Sequence, residues 1–192
     1  MNDISKNGIL EAQIRECYGR VVWTHKTHEK CSDILEKRNS RIKLSQIILS
    51  AVTTTGIFVT VFGDKTLVGI ISAIISTFLL ILNTYTKKYD LGEIAQKHSN
   101  CAANLWNVRE NYLSLLTDIR SGAVNTETIR TQRDKLQSDL YNIYKGSPRT
   151  LGKAYNEASK ALKSFEEMTF SDAEIDSFLP KELRKTQKKM ES

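Results

Sequence analysis

LSQIILSAVTTTGIFVTVF, residues 44–62, and TLVGIISAIISTFLLILNTYT, residues 66–86, run for nineteen and twenty-one residues without a charge, separated only by Gly63, Asp64 and Lys65. At about 1.5 Å of rise per residue each segment reaches roughly 30 Å as a helix, the thickness of a bilayer's hydrocarbon core. Two such helices joined by a three-residue turn form a transmembrane hairpin. A soluble hairpin would need enough other apolar surface to wrap two helices that are apolar all round. The flanking segments do not offer it, because their apolar positions are narrow stripes.

The rest of the 192-residue chain is polar: 26% of all residues are charged and the formal net charge is +6. Much of that excess borders the hairpin. Lys37, Arg38, Arg41 and Lys43 precede the first span, Lys87 and Lys88 follow the second, and the turn carries one charge of each sign. The positive-inside rule then predicts that both termini are cytoplasmic and the turn lies outside, with Tyr85 and Tyr89 near the inner interface. A basic balance explained by the membrane requires no nucleic-acid partner. The opening MNDISKNG is polar and the first apolar run comes late, so no signal peptide is expected. Cys17, Cys31 and Cys101 all fall in segments assigned to the cytoplasm, where reduced thiols are the expectation.

Three regions follow: 1–43, an N-terminal cytoplasmic helix; 44–86, the hairpin; and 87–192, a cytoplasmic helical region with a basic tail. The fold class is thus an all-α membrane protein whose long helices extend into a cytoplasmic bundle. Ile9 to Lys43 reads as one proline-free helix, with Ile14, Cys17, Tyr18, Val21 and Val22 on its apolar side, running straight into the first span. Past the hairpin, Leu91, Ile94, Ala95, His98, Cys101, Ala102, Leu105, Val108, Tyr112, Leu115, Leu116 and Ile119 recur at spacings of three and four. The second span is therefore expected to continue unbroken to Ile119, a rod of roughly 80 Å. Ser121 and Gly122 end it, and Asn125 or Thr126 caps a helix carrying Ile129, Leu136, Leu140 and Ile143. After a break at Gly146, Ser147 and Pro148, a helix is expected with Leu151, Ala154, Tyr155, Ala158, Leu162 and Phe165 in register. Ser171 and Glu174 have capping-box spacing ahead of Ile175, Phe178 and Leu179.

Signs of chemistry are few. Glycine-rich phosphate loops, paired CxxC and HExxH are all missing from the sequence, so an enzyme is not expected and no cofactor is implied. His25, His28 and Cys31, with Glu29 one turn after His25, are the best metal candidates. Successive ligands three apart rotate by about 60° around a helix, so a metal would need help from another element, and packed residues are the preferred reading. His98 falls in the apolar stripe and reads as a hydrogen-bonded core histidine. Trp23 and Trp106 read as packing residues. Lys181, Arg184, Lys185, Lys188 and Lys189 would line one side of a helix, where a solvated face is the commoner explanation than an anionic lipid or ligand.

The hairpin offers more. Gln46, Ser50, Thr53 and Thr60 share a face of the first span with Gly56 adjacent; Gly69, Ser72, Ala73, Ser76 and Asn83 form a small and polar side of the second. Such residues let transmembrane helices approach closely. Across an antiparallel hairpin turning at Asp64 and Lys65, residues lie level when their numbers sum to about 129, which places Gln46 opposite Asn83. Those amides can bond within one hairpin or between copies, and one hairpin encloses no water path. Gln46, Ser50, Thr53, Thr60, Ser72, Ser76 and Asn83 are accordingly candidates either for hairpin packing or for the lining of a pore built from several copies.

A hairpin set between an N-terminal helix and a long helix beginning KKYDLGEIAQKHSNCAANLW resembles the SLATT proteins, two-transmembrane effector domains associated with SMODS nucleotidyltransferases and SLOG nucleotide-sensing domains. YNIYKGSPRTLGKAY and IDSFLPKELR are similar to the C-terminal half of that family, especially the branch found beside reverse transcriptases. The resemblance implies a bacterial anti-phage effector, multi-pass in the inner membrane. It would oligomerise and permeabilise the bilayer when a nucleotide second messenger or a sensor protein encoded nearby signals infection. The alternative is a membrane-anchored adaptor that recruits a soluble partner through its cytoplasmic helices.

Overall fold

The computed structural model describes residues 3–63 and 65–185, with the side chains of 3–7 and 182 outside the description. The turn residue Asp64 and the tail residues Lys188 and Lys189 lie outside the described residues. Among the described residues six helices follow one another: α1 (Asp3–Gly63), α2 (Thr66–Lys88), α3 (Leu91–Ser121), α4 (Thr126–Gly146), α5 (Gly152–Lys163) and α6 (Asp172–Phe178), then a 3-10 turn at Lys181–Leu183. No strand occurs among the described residues.

α1 is one helix of 61 residues, roughly 90 Å long, because no proline interrupts it. Its C-terminal third is the first span, and the rest is the spine on which α3 and α5 pack. The two apolar segments are bare: only 6% of the most hydrophobic window of each is buried within the chain. Phe58, Phe62, Leu67, Phe78, Leu80 and Ile81 all point outward. A soluble core hairpin would bury these side chains, whereas a bilayer covers them, so the protein is a membrane protein.

The second span does not continue unbroken into α3, contrary to the periodicity. α2 stops at Lys88 and α3 restarts at Leu91. Asp90 takes an extended backbone (φ −73°, ψ 93°) and its carboxylate accepts the Glu93 N–H at 2.9 Å. A short polar side chain that bonds to nearby backbone offers the chain an alternative to helix, and here it caps a new one. Gly92 follows because Asn39 of α1 crosses close by: a Cβ there would lie 2.8 Å from Asn39 Nδ2.

Beyond the membrane α3 runs antiparallel to α1, and the bundle core is a single cluster. Leu10, Ile14 and Val21 of α1 meet Cys101, Leu105, Val108, Tyr112 and Leu115 of α3, with Ile129 and Leu136 of α4 closing the far side. Gly122 ends α3 at φ 69°, where the Ala123 N–H reaches Asp118 O and a side chain would be strained. Asn125 caps α4 by accepting the Thr128 N–H. α5 buries Ala154 and Ala158 of the expected register and adds Ala161, but Tyr155 is half exposed. The alanines let α5 lie close on α1, so the large side chains are displaced to its edges, and Phe165 falls beyond the helix end. Ser171 and Glu174 form the full capping box that opens α6.

Candidate functional site

The seam between the two spans collects half of the serine, threonine and amide residues of the two spans. Gln46 Nε2 donates to Asn83 Oδ1 at 2.8 Å and reaches Thr86 Oγ at 3.2 Å. Further out, Thr53 and Ser72 are buried and Thr60 and Ser76 half-buried. Gly56 and Gly69 are the points of closest approach. A Cβ on Gly56 would lie 2.0 Å from Ser72 Oγ, and one on Gly69 2.9 Å from a methyl of Thr60. These pairings keep the register implied by Gln46 and Asn83.

Backbone carbonyls absorb the hydroxyl donors one turn earlier: Thr53 bonds to Leu49 O and Thr60 to Gly56 O. α1 thus hides these two threonine donors from hydrocarbon. Ser50, placed with this set by sequence, is exposed. Asn83 is exposed as well, with its oxygen bound to Gln46 and its Nδ2 unpartnered among the described residues. Thr86 and the two glycine contacts are additions that the residue pattern alone did not single out. The sum rule could have found the glycine contacts, since 60 pairs with 69 and 56 with 72 or 73, whereas Thr86 lies one helical turn past the residue level with Gln46.

In the bundle, the three histidines of the chain come together between α1 and α3. His28 Nδ1 lies 2.9 Å from His98 Nδ1, and His25 Nδ1 lies 2.9 Å from Ala102 O. All three are buried. His25 Nδ1 faces a carbonyl and therefore carries its proton, while only one of the two facing nitrogens of His28 and His98 can do so. The metal candidates do not converge: Cys31 Sγ accepts the Leu151 N–H at 3.3 Å instead. Among the described residues no group of three or more His, Cys, Asp or Glu side chains is placed to hold a metal ion.

Burial, followed by the proximity of His98 and His25, lowers the His28 pKa to about 4, and burial lowers that of His98. A histidine whose folded pKa lies below its unfolded value keeps its full contribution above pH 6.5 and loses it as pH falls towards the folded value. For His28 that loss is about 2 kcal/mol between pH 7 and pH 5. Denaturant midpoints of the detergent-solubilised protein should fall accordingly, and His28→Phe should flatten the dependence.

A cleft of about 660 Å³ opens beside this layer, lined by His25, Lys26, Glu29, Asp33 and Glu36 of α1 and floored by Ser99, Ala102 and Ala103 below Trp106. Glu167 clasps Lys26 at 2.7 Å and Lys30 at 3.5 Å, joining the segment after α5 to the spine. Its carboxyl is held below the usual range by the Lys26 ammonium. Trp23 packs against the Tyr155 ring, with Lys163 Nζ 5.3 Å from its ring centroid, as a packing residue would.

One family model matches the chain: the SMODS and SLOG-associating 2TM effector domain family 4, over residues 10–174. No curated protein and no solved structure matches it.

Proposed function

The chain belongs to family 4 of the SMODS and SLOG-associating two-transmembrane effector domains, and from that membership we propose that it is a bacterial defence effector that permeabilises the inner membrane on a signal. The proposal has both termini in the cytoplasm, copies assembled side by side, and a trigger delivered to the bundle by a nucleotide or a sensor protein. The observation that carries it is the seam. Hydroxyls and amides are stored between two spans, one of which is continuous with the bundle while the other is uncoupled from it at Tyr89–Asp90. A rigid α1 transmits a rearrangement of the bundle, and the interruption lets α2 turn against α1 without breaking α3. Turning exposes Thr53, Thr60, Ser72 and Ser76, which neighbouring copies then gather into a polar lining.

Separating the seam costs the bonds that close it, and each interhelical hydrogen bond in a membrane contributes roughly 0.6–1.7 kcal/mol. Gln46→Leu with Asn83→Leu removes the bonds that Gln46 makes to Asn83 and Thr86 across the seam's inner end while keeping both spans apolar. Such a variant is expected to insert normally and, with the seam easier to open, to release more dye from loaded liposomes. Unchanged release would remove the amide pair from the mechanism. If instead an unrelated two-span anchor replaced 44–86 and full activity survived, the chain would be an adaptor.

A further inference from the structure

On the outer flank of the hairpin, at the end nearest the bundle, a lateral groove of about 640 Å³ opens between the spans. Lys43 stands at its mouth, with Gln46 and Asn83 just below, then Ser50, Ala51 and Leu79 along its walls as far as Thr54. From Lys43 to Thr54 is eleven residues of helix, about 16 Å, or half the depth of a hydrocarbon core. Polarity is graded along it: a cation at the headgroup level, amides beneath, then small and apolar side chains. Lys43 makes no ion pair among the described residues, and Asn83 Nδ2 no hydrogen bond. Neither acyl tails nor the protein supply what these two donors lack.

We infer that this groove is a binding site for one anionic phospholipid, its phosphate held by Lys43 Nζ and Asn83 Nδ2 and one acyl chain lying along Ala51 and Leu79. Charge complementarity commits the site to a lipid. The mouth carries a cation and no carboxylate, and the groove's length matches a single leaflet. A zwitterionic lipid satisfies the phosphate contact but leaves the net attraction smaller. The inference rests on membrane insertion and not on pore formation, so it survives if the membrane never leaks.

Native mass spectrometry of the full chain, released from micelles supplied with equal palmitoyl-oleoyl phosphatidylglycerol and phosphatidylcholine, tests it. One phosphatidylglycerol per chain should be retained in preference. Lys43→Gln, at an exposed position that leaves the helix intact, should lower that preference about fivefold, the worth of one basic side chain at an anionic surface. Ser50→Leu, which fills the groove without touching Lys43, should also release the lipid. Equal retention of both lipids, or a preference unmoved by both variants, overturns the site. So does efficient disulfide cross-linking between copies through Ser50→Cys in phosphatidylglycerol vesicles, because a neighbouring helix would then occupy the groove.

Discussion

Gly56→Leu is expected to force the two spans apart and abolish the proposed permeabilisation while leaving the helical bundle folded. Even the first added carbon would meet Ser72 Oγ at 2.0 Å, and rotating that hydroxyl away leaves Ser72 Cβ at 3.3 Å. The rest of a leucine side chain has nowhere to go between helices in contact, and overpacking of this kind costs about 1–3 kcal/mol or more. Close approach at Gly56 and Gly69 is also what brings Thr53, Thr60, Ser72 and Ser76 into one seam, so the whole polar store is disturbed. Gly19 supplies the control: it sits in the same helix with nothing within 4 Å of its Cβ position, and Gly19→Leu should be tolerated. Cysteine cross-linking between Thr53→Cys and Ser76→Cys reads the seam directly. It should form in an otherwise unaltered chain and fail when Gly56→Leu is added.

The second large effect is expected in the bundle. Leu105 is fully buried at the centre of the cluster shared by α1, α3 and α4. Leu105→Ala removes three methyl-scale groups there and leaves a cavity that the long, stiff α1 cannot collapse to fill, so the loss should be about 2–5 kcal/mol. Against a typical stability of roughly 5–15 kcal/mol that is a large share. Thermal unfolding followed by circular dichroism should shift down by several degrees, whereas Leu113→Ala, at a half-exposed position on the same helix, should shift it little.

Why the hairpin could be read from sequence and the break after it could not is a matter of which signal each rests on. Uncharged runs at 44–62 and 66–86 report a global requirement, since a charge in hydrocarbon is costly wherever it falls. The level placement of Gln46 and Asn83 needed only helix geometry and the position of the turn, and the amides do lie within hydrogen-bonding distance. The interruption at Tyr89–Asp90 is a local competition between a side chain and the helix ladder. Spacings of three and four carry on across it because the skipped residues amount to little more than half a turn. Asp90 three residues before Glu93 was the available sign of a cap.

The histidine layer was hidden for a different reason. His28 and His98 lie seventy residues apart, and no local pattern says that two stripes will meet at that height. His98 was legible as a packed residue because it interrupts an apolar stripe; its partner was not. α5 misled in part. Ala154 and Ala158 fall on the expected face, but Tyr155 and Phe165, expected beside them, do not, because close packing against α1 favours the alanines.

A membrane-potential dye read in living cells that carry the chain with its neighbouring genes, through a phage infection, tests the pore proposal most directly. Depolarisation should follow infection in cells with the unaltered chain and be missing in those with Gly56→Leu. Growth arrest on infection with the membrane potential held throughout would contradict it.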